Sequence, residues 1–331
     1  MTKPTLILTR RDVVDLLTLG ECIDAVERAF RLHGEGRAIP PGVLGVHVDN
    51  GGFHVKTAGL RVEDRVYFAA KVNANFPDNR ERLGMPTIQG VLALFDLNNG
   101  FPLALIDSAE ITSVRTAAAT AVAARYLSAA DATVVTICGC GVQGREQLRA
   151  LVRVRPIRSV LVFDIDAGRA ETYADTMSRE LGVDVRAVRD LPRATRQSDI
   201  CVTCTTSRQA ILHRGDVRAG AFVAAIGADN PEKQEIDPAL LAASGVVVDV
   251  LDQCATIGDL RHALVAGAMT RSDVRAELGE IIAGLKPGRM EESEIVIFDS
   301  TGMALQDVAA AALVYERSVD SGRGMLVDLA S

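Results

Sequence analysis

The stretch Thr133-Val134-Val135-Thr136-Ile137-Cys138-Gly139-Cys140-Gly141-Val142-Gln143-Gly144 decides the fold. A β-branched run enters a G-x-G-x-x-G turn, and the turn opens a helix. The three glycines serve separate physical ends. Gly139 makes the tight turn, Gly141 lets backbone approach a pyrophosphate, and Gly144 packs helix on strand. The helix N-terminus, with its Val142 and Gln143, then faces the phosphate anion. The next apolar run, residues 159–163, ends at Asp164, ~20 residues past the last glycine, where a carboxylate accepts from both ribose hydroxyls. A carboxylate there repels a 2′-phosphate, so NAD is expected rather than NADP. Asp164 or Asp166 could instead cap the helix that follows, a common use of Asp.

Working outward, short apolar strands recur at 183–188, 200–204, 221–226, 246–250 and 295–298, with helix-like segments between most of them. Continuous β-branched runs alternating with helices indicate a parallel sheet covered on both faces. Upstream the pattern differs. Residues 11–34 carry helical periodicity, with Val14, Leu17, Cys22, Ile23, Val26 and Phe30 on one stripe. Strands follow at 42–48, 53–57, 66–72, 90–96 and 103–106, the last two joined by a hairpin signal at Asn98-Asn99-Gly100. Thr112-Ser113 offers a cap to an Ala-rich helix running to about Leu127. Residues 302–315 are helical and Ala-rich again, so the chain is expected to leave one domain and return to it. The predicted fold class is α/β, a Rossmann-type doubly wound parallel sheet plus an α+β domain.

Length and composition fit this. At 331 residues the chain suits two domains, and 48% apolar with 24% charged residues is ordinary for a globular protein. A net charge of −7 argues against a nucleic-acid partner. No run approaches the length of a membrane span, and the start lacks a signal peptide's apolar core, so a soluble, cytoplasmic protein is expected. Cys201-Val202-Thr203-Cys204 has metal-ligand spacing, but residues three apart on a strand point to opposite faces, so no metal is expected.

Several polar residues stand where the sequence is otherwise apolar or tight. Lys71 lies within Tyr67-Phe68-Ala69-Ala70-Lys71-Val72, and Arg115 lies in the first turn of the Ala-rich helix, against the macrodipole. Each could hold a substrate carboxylate or form a structural salt bridge. Asp229 follows the strand at 221–226, at the carboxyl end where open α/β sheets place ligands, or it simply makes a turn with Asn230-Pro231. His54 and Lys56 share one face of a strand, and a structural histidine is the plainer alternative for the first.

At these residues the sequence resembles the ornithine cyclodeaminase/μ-crystallin family across nearly its whole length. The resemblance rests on Ala70-Lys71-Val72-Asn73, Met85-Pro86-Thr87, Thr112-Ser113-Val114-Arg115-Thr116-Ala117-Ala118 and the glycine loop. It continues through Ile226-Gly227-Ala228-Asp229, Lys233-Gln234-Glu235 and Val296-Ile297-Phe298-Asp299-Ser300-Thr301-Gly302. It implies a homodimer, with a substrate-binding and dimerisation domain of residues 1–115 and 303–331 and a dinucleotide-binding domain of residues 116–302. It also implies that Lys71 and Arg115 grip the substrate carboxylate and that Asp229 exchanges a proton with the substrate nitrogen. Thr87, Val142, Gln143, Asp164, Thr205, Ile226, Gly227, Ala228, Lys233 and Ser300 match cofactor-contacting positions, and Thr301 a substrate-side one.

Two positions depart from the cyclodeaminase pattern. His54 stands where a glutamate meets the substrate amines, and Gly42 stands where an arginine follows Pro40-Pro41, leaving Lys56 to supply that cation. The expected activity is therefore NAD-dependent hydride transfer at the α-carbon of a small amino acid or its 2-imino acid. The alternatives are cyclodeamination of ornithine or a related diamino acid with catalytic NAD, and non-catalytic NAD(P)-dependent binding of a small molecule.

Overall fold

The computed structural model describes residues 4–62, 64–76 and 78–329. They divide into two compact units, Met1–Arg115 with Met303–Ser331, and Thr116–Gly302.

In the first unit, β1 (Thr5–Leu8), β2 (Ile39–Val48), β3 (Gly51–Val62), β4 (Arg65–Asn75), β5 (Ile88–Asp96) and β6 (Pro102–Asp107) join the chain's last strand, Met325–Val327, in one sheet. From that last strand inward the order is β1-β6-β5-β4-β3-β2. β2 to β6 form an antiparallel meander, and β1 runs parallel to β6. Alternation sorts the two faces. Lys56, Ala58, Leu60, Tyr67, Ala69, Lys71, Leu92 and Leu94 lie buried on one face. The helices Leu19–Gly34 and Ala304–Ser321 belong to the same unit, and the latter packs on β3 and β4. The opposite face carries Leu44, Val46, Phe53, Val72 and Val91, all exposed.

Two expectations are corrected here. The periodic stretch 11–34 is two helices, Arg10–Leu16 and Leu19–Gly34, because Leu17 and Thr18 take extended backbone between them. Val13 is buried in the first helix, and Val14 is 55% exposed. The Ala-rich helix is Ser108–Leu127, starting a full turn before Thr112-Ser113, with the Asp107 carboxylate accepting from Glu110 N at 3.1 Å. Arg115 therefore sits two turns in, beyond the reach of the terminal dipole, and the macrodipole does not explain it.

The second unit holds β7 (Val134–Cys138), β8 (Ser159–Phe163), β9 (Asp184–Ala187), β10 (Ile200–Thr203), β12 (Phe222–Ala225), β14 (Gly245–Val248), β15 (Ala276–Glu277) and β16 (Val296–Asp299). They form one sheet in the order β15-β14-β16-β12-β10-β7-β8-β9, with every pair parallel. β10, β12, β14 and β16 are buried throughout, as β-branched strands covered on both faces must be. β11 (Arg208–Leu212) and β13 (Gln234–Ile236) pair separately. Strand order reverses at β7, which has β8 on one side and β10 on the other. Ligands of doubly wound sheets bind outside such a switch point. Among the described residues no helix is long and apolar enough to cross a membrane.

Candidate active site

The glycine loop follows β7 at the switch point, and its three glycines differ in the room around them. Gly139 has φ +104°, and a Cβ there would lie 2.8 Å from the Cys204 carbonyl oxygen. A Cβ on Gly144 would overlap the Gly139 carbonyl oxygen, whereas one on Gly141 would meet nothing. The open space is thus where a pyrophosphate needs it. The helix Val142–Val154 begins at Gly141 without a side-chain cap, which leaves its first N–H groups for an anion. Gln143 adds a buried Nε2 with no protein acceptor.

Asp164 holds this loop from the end of β8. One carboxylate oxygen accepts from Cys140 N at 2.9 Å and the other from Asp166 N at 3.0 Å. Asp166 is the residue that caps the next helix, accepting from Arg169 N at 3.1 Å. Capping therefore does not fall to Asp164, whose carboxylate stays beside the glycine turn.

A second carboxylate, which sequence reasoning did not single out, staples two further loops. Glu235, wholly buried, accepts from Thr205 N at 2.6 Å and from Gly227 N at 2.8 Å. Burial pushes its pKa up, and these N–H bonds oppose the shift. The loop Ile226-Gly227-Ala228-Asp229 is thereby fixed at the carboxyl end of β12. Asn230 makes the turn that follows, its side chain accepting from Glu232 N and Lys233 N. The Asp229 carboxylate meets Lys233 Nζ at 2.7 Å and is 39% exposed. Beyond β16, Asp249 accepts from Ser300 Oγ at 3.0 Å and Gly302 N at 2.7 Å, and Gln253 Nε2 donates to Thr301 Oγ1 at 2.8 Å.

The first unit carries the cations. Lys71 on β4 and Arg115 are 2% and 4% exposed. Asp307, on the helix Ala304–Ser321, receives both, with Lys71 Nζ at 2.7 Å on one oxygen and Arg115 Nε at 2.8 Å on the other. Lys71 also donates to Thr112 Oγ1 at 3.2 Å, and Arg115 to Gln306 Oε1 at 2.7 Å. Lys56 stands directly across from Lys71 in the β3–β4 register, on the same face, with His54 opposite Asn73. Desolvation pulls the Lys71 ammonium down to about 7; Asp307 resists this, and Arg115 and Lys56 add to it. Thr87, also in the first unit, accepts from Phe76 N through its carbonyl oxygen at 2.9 Å.

The salt-bridge alternative for Lys71 and Arg115 is thus half of the answer. One buried carboxylate contacts both cations, and the pair still carries a net positive charge in a desolvated setting. Such a surplus is suited to receiving a second carboxylate. Asp307 and Gln306, which contact these cations, were missed by sequence reading. Their signal was available as Gln306-Asp307 within Ala304-Leu305-Gln306-Asp307-Val308-Ala309-Ala310, two polar groups in a run otherwise fit only for a core.

The chain resembles known proteins along nearly its whole length. The chain is 37% identical to the alanine dehydrogenase of Archaeoglobus fulgidus over 97% of each chain. A solved archaeal alanine dehydrogenase dimer with bound NAD superposes with a TM-score of 0.93 at 37% identity, covering 98% of this chain and 99% of the other. The Thermococcus litoralis Δ1-pyrroline-2-carboxylate reductase, solved with NADH and L-proline, gives 0.92 at 34% identity, covering 97% and 99%. Residues 3–322 match the ornithine cyclodeaminase/mu-crystallin family, and the chain belongs to that family.

Proposed function

We propose that the protein is an NAD-dependent oxidoreductase acting at the α-carbon of a small amino acid or its 2-imino acid. The observation that carries this is the buried Lys71–Arg115 pair, positively charged in excess of Asp307. It is supported by relatives that act on alanine and on a cyclic imino acid. The glycine loop, Gln143 and Asp164 fit a dinucleotide, with Thr87, Val142, Thr205, Ile226, Gly227, Ala228, Lys233 and Ser300 as further contacts. NAD, when bound, supplies or accepts the hydride at the α-carbon.

The chain's own residues do the rest. Lys71 and Arg115 take the substrate carboxylate and fix its orientation. Asp307 holds both cations in place between turnovers. Asp229 takes a proton from the amino group in oxidation and returns one to the nitrogen in reduction. Lys56, His54 and Thr301 bound the remainder of the substrate; His54 is not an anionic partner for a second amine, which favours a substrate with one nitrogen.

The exposed apolar face of β2 to β5 suits burial against a second copy of the chain, so the working form is a homodimer with the first unit as its substrate-binding and dimerisation domain. All six cysteines are free, as in a reducing cytoplasm.

The test is NADH absorbance with pyruvate plus ammonia, with a cyclic ketimine acid, and with L-ornithine plus NAD. NADH consumption in either of the first two is expected. Ammonia and proline formed from ornithine without net absorbance change would make the protein a cyclodeaminase instead.

A further inference from the structure

The first unit also carries an open surface pocket of about 390 Å³ that takes in none of the site groups described above. It lies among the helix Leu19–Gly34, β3 and the helix Ala304–Ser321. Arg28, Arg31, Arg37 and Arg61 line it, with Glu35 as its one acid. Arg37 pairs with Glu35 at 3.0 Å. Arg28 and Arg61 have no ion-pair partner among the described residues. With Arg37 paired to the one acid of the lining, Arg28 and Arg61 give the exposed mouth its excess of positive charge. The floor is apolar, made by Leu60, Ala309 and Leu313 with their neighbours. The volume lies within the range of small-molecule sites.

We propose that this pocket binds a small organic phosphate, an aromatic ring system carrying two or more negative charges. Guanidinium forks match phosphate oxygens two at a time, and several of them around one mouth suit dense charge better than a single carboxylate does. The apolar floor receives the body of the ligand. Ala309 and Leu313 lie on the same helix as Gln306 and Asp307, so an occupant bears on the element that holds Lys71 and Arg115. The ligand is therefore a regulator of substrate affinity. That second half rests on the proposed activity; binding itself does not.

The test uses the full chain saturated with NADH, which blocks the dinucleotide loop. Guanosine triphosphate and inorganic pyrophosphate are titrated by calorimetry into the wild type and into the double variant Arg28→Glu, Arg61→Glu. The triphosphate should bind with Kd at or below about 1 mM, and pyrophosphate, lacking the aromatic ring system, more weakly. The double reversal should weaken both by at least about tenfold while NADH affinity and melting temperature stay put. No heat with the wild type, or unchanged binding by the double variant, would overturn the site. With binding established, a substrate KM that does not move when the triphosphate is bound would overturn the regulatory half. Absence of any oxidoreductase activity would count against the proposed function and leave the calorimetric result standing.

Discussion

The glycine loop of the second unit and the cation set of the first are built by opposite means. Around Gly139 to Gly144 the work is done by backbone, through a positive φ, a turn too close for a side chain, and N–H groups at a helix start. Around Lys71 and Arg115 it is done by charge, with Asp307 brought in from 192 residues beyond Arg115. Backbone sites are specified locally and tolerate changes in distant charge. Charge sites depend on partners that local sequence does not reveal, and they respond to pH and to loss of a counter-ion. Substitutions in the two regions should therefore fail in different ways.

The largest effect is expected from Asp307→Asn. It leaves two buried cations without their shared anion, and breaking a buried ion pair costs about 3–5 kcal/mol. Urea unfolding should show a lower midpoint with an unchanged slope, and an unchanged midpoint would mean that Asp307 is not the group that balances Lys71 and Arg115. Next comes Arg115→Ala. Removing one charged hydrogen-bonding partner from a buried carboxylate costs roughly 2–5 kcal/mol, so kcat/KM for the amino or imino acid should fall by about 30- to 5,000-fold. NADH affinity, measured by fluorescence titration, should remain as in the wild type. A parallel loss of NADH binding would erase the distinction between the regions.

What could be read in advance follows the same division. The parallel sheet was legible because its strands are continuous apolar runs, and the glycine turn because Gly139 and Gly144 leave no room for a side chain for local reasons. Asp164 was legible through its distance from Gly144. The start of the helix Ser108–Leu127 was not, because Thr112 and Ser113 look like caps whereas Asp107, at the end of a strand, does the capping. Nor was the break at Leu17, since the apolar stripe continues across it. β11 and β13 are short and pair with each other only after folding. Glu235 and Asp307 escaped because a buried acid is explained by the donors around it, and these include Thr205, 30 residues before Glu235, and Arg115, 192 before Asp307.

Within the glycine loop the contrast can be sharpened by two single-methyl changes. In Gly144→Ala the new Cβ overlaps the Gly139 carbonyl, so helix and strand must separate. Overpacking of this kind costs about 1–3 kcal/mol and should lower both melting temperature and NADH affinity. In Gly141→Ala the Cβ enters open space, so stability should hold while NADH affinity falls. Equal melting temperatures in the two variants would sink the assignment of separate roles to these glycines.

The smallest effect at neutral pH, and the most diagnostic of a charge-built site, is the pH dependence set by Lys71. Its ammonium titrates at about 7, against 10.5 when free, because burial outweighs the pull of Asp307. Gripping a carboxylate needs the protonated form. Above pH 7 the protonated fraction falls, and KM for the substrate should rise about tenfold per pH unit. Stability moves the other way. Between about 7 and 10.5 the unfolded lysine keeps a proton that the folded one has lost, so the unfolded state binds more protons and this residue's contribution to stability rises with pH. Lys71→Arg keeps its charge throughout this range. It should therefore flatten the KM profile and remove that rise in stability, while NADH affinity stays level across the same pH interval in both proteins. A KM profile unchanged by the substitution would assign the titration to another group and leave Lys71 a permanent cation.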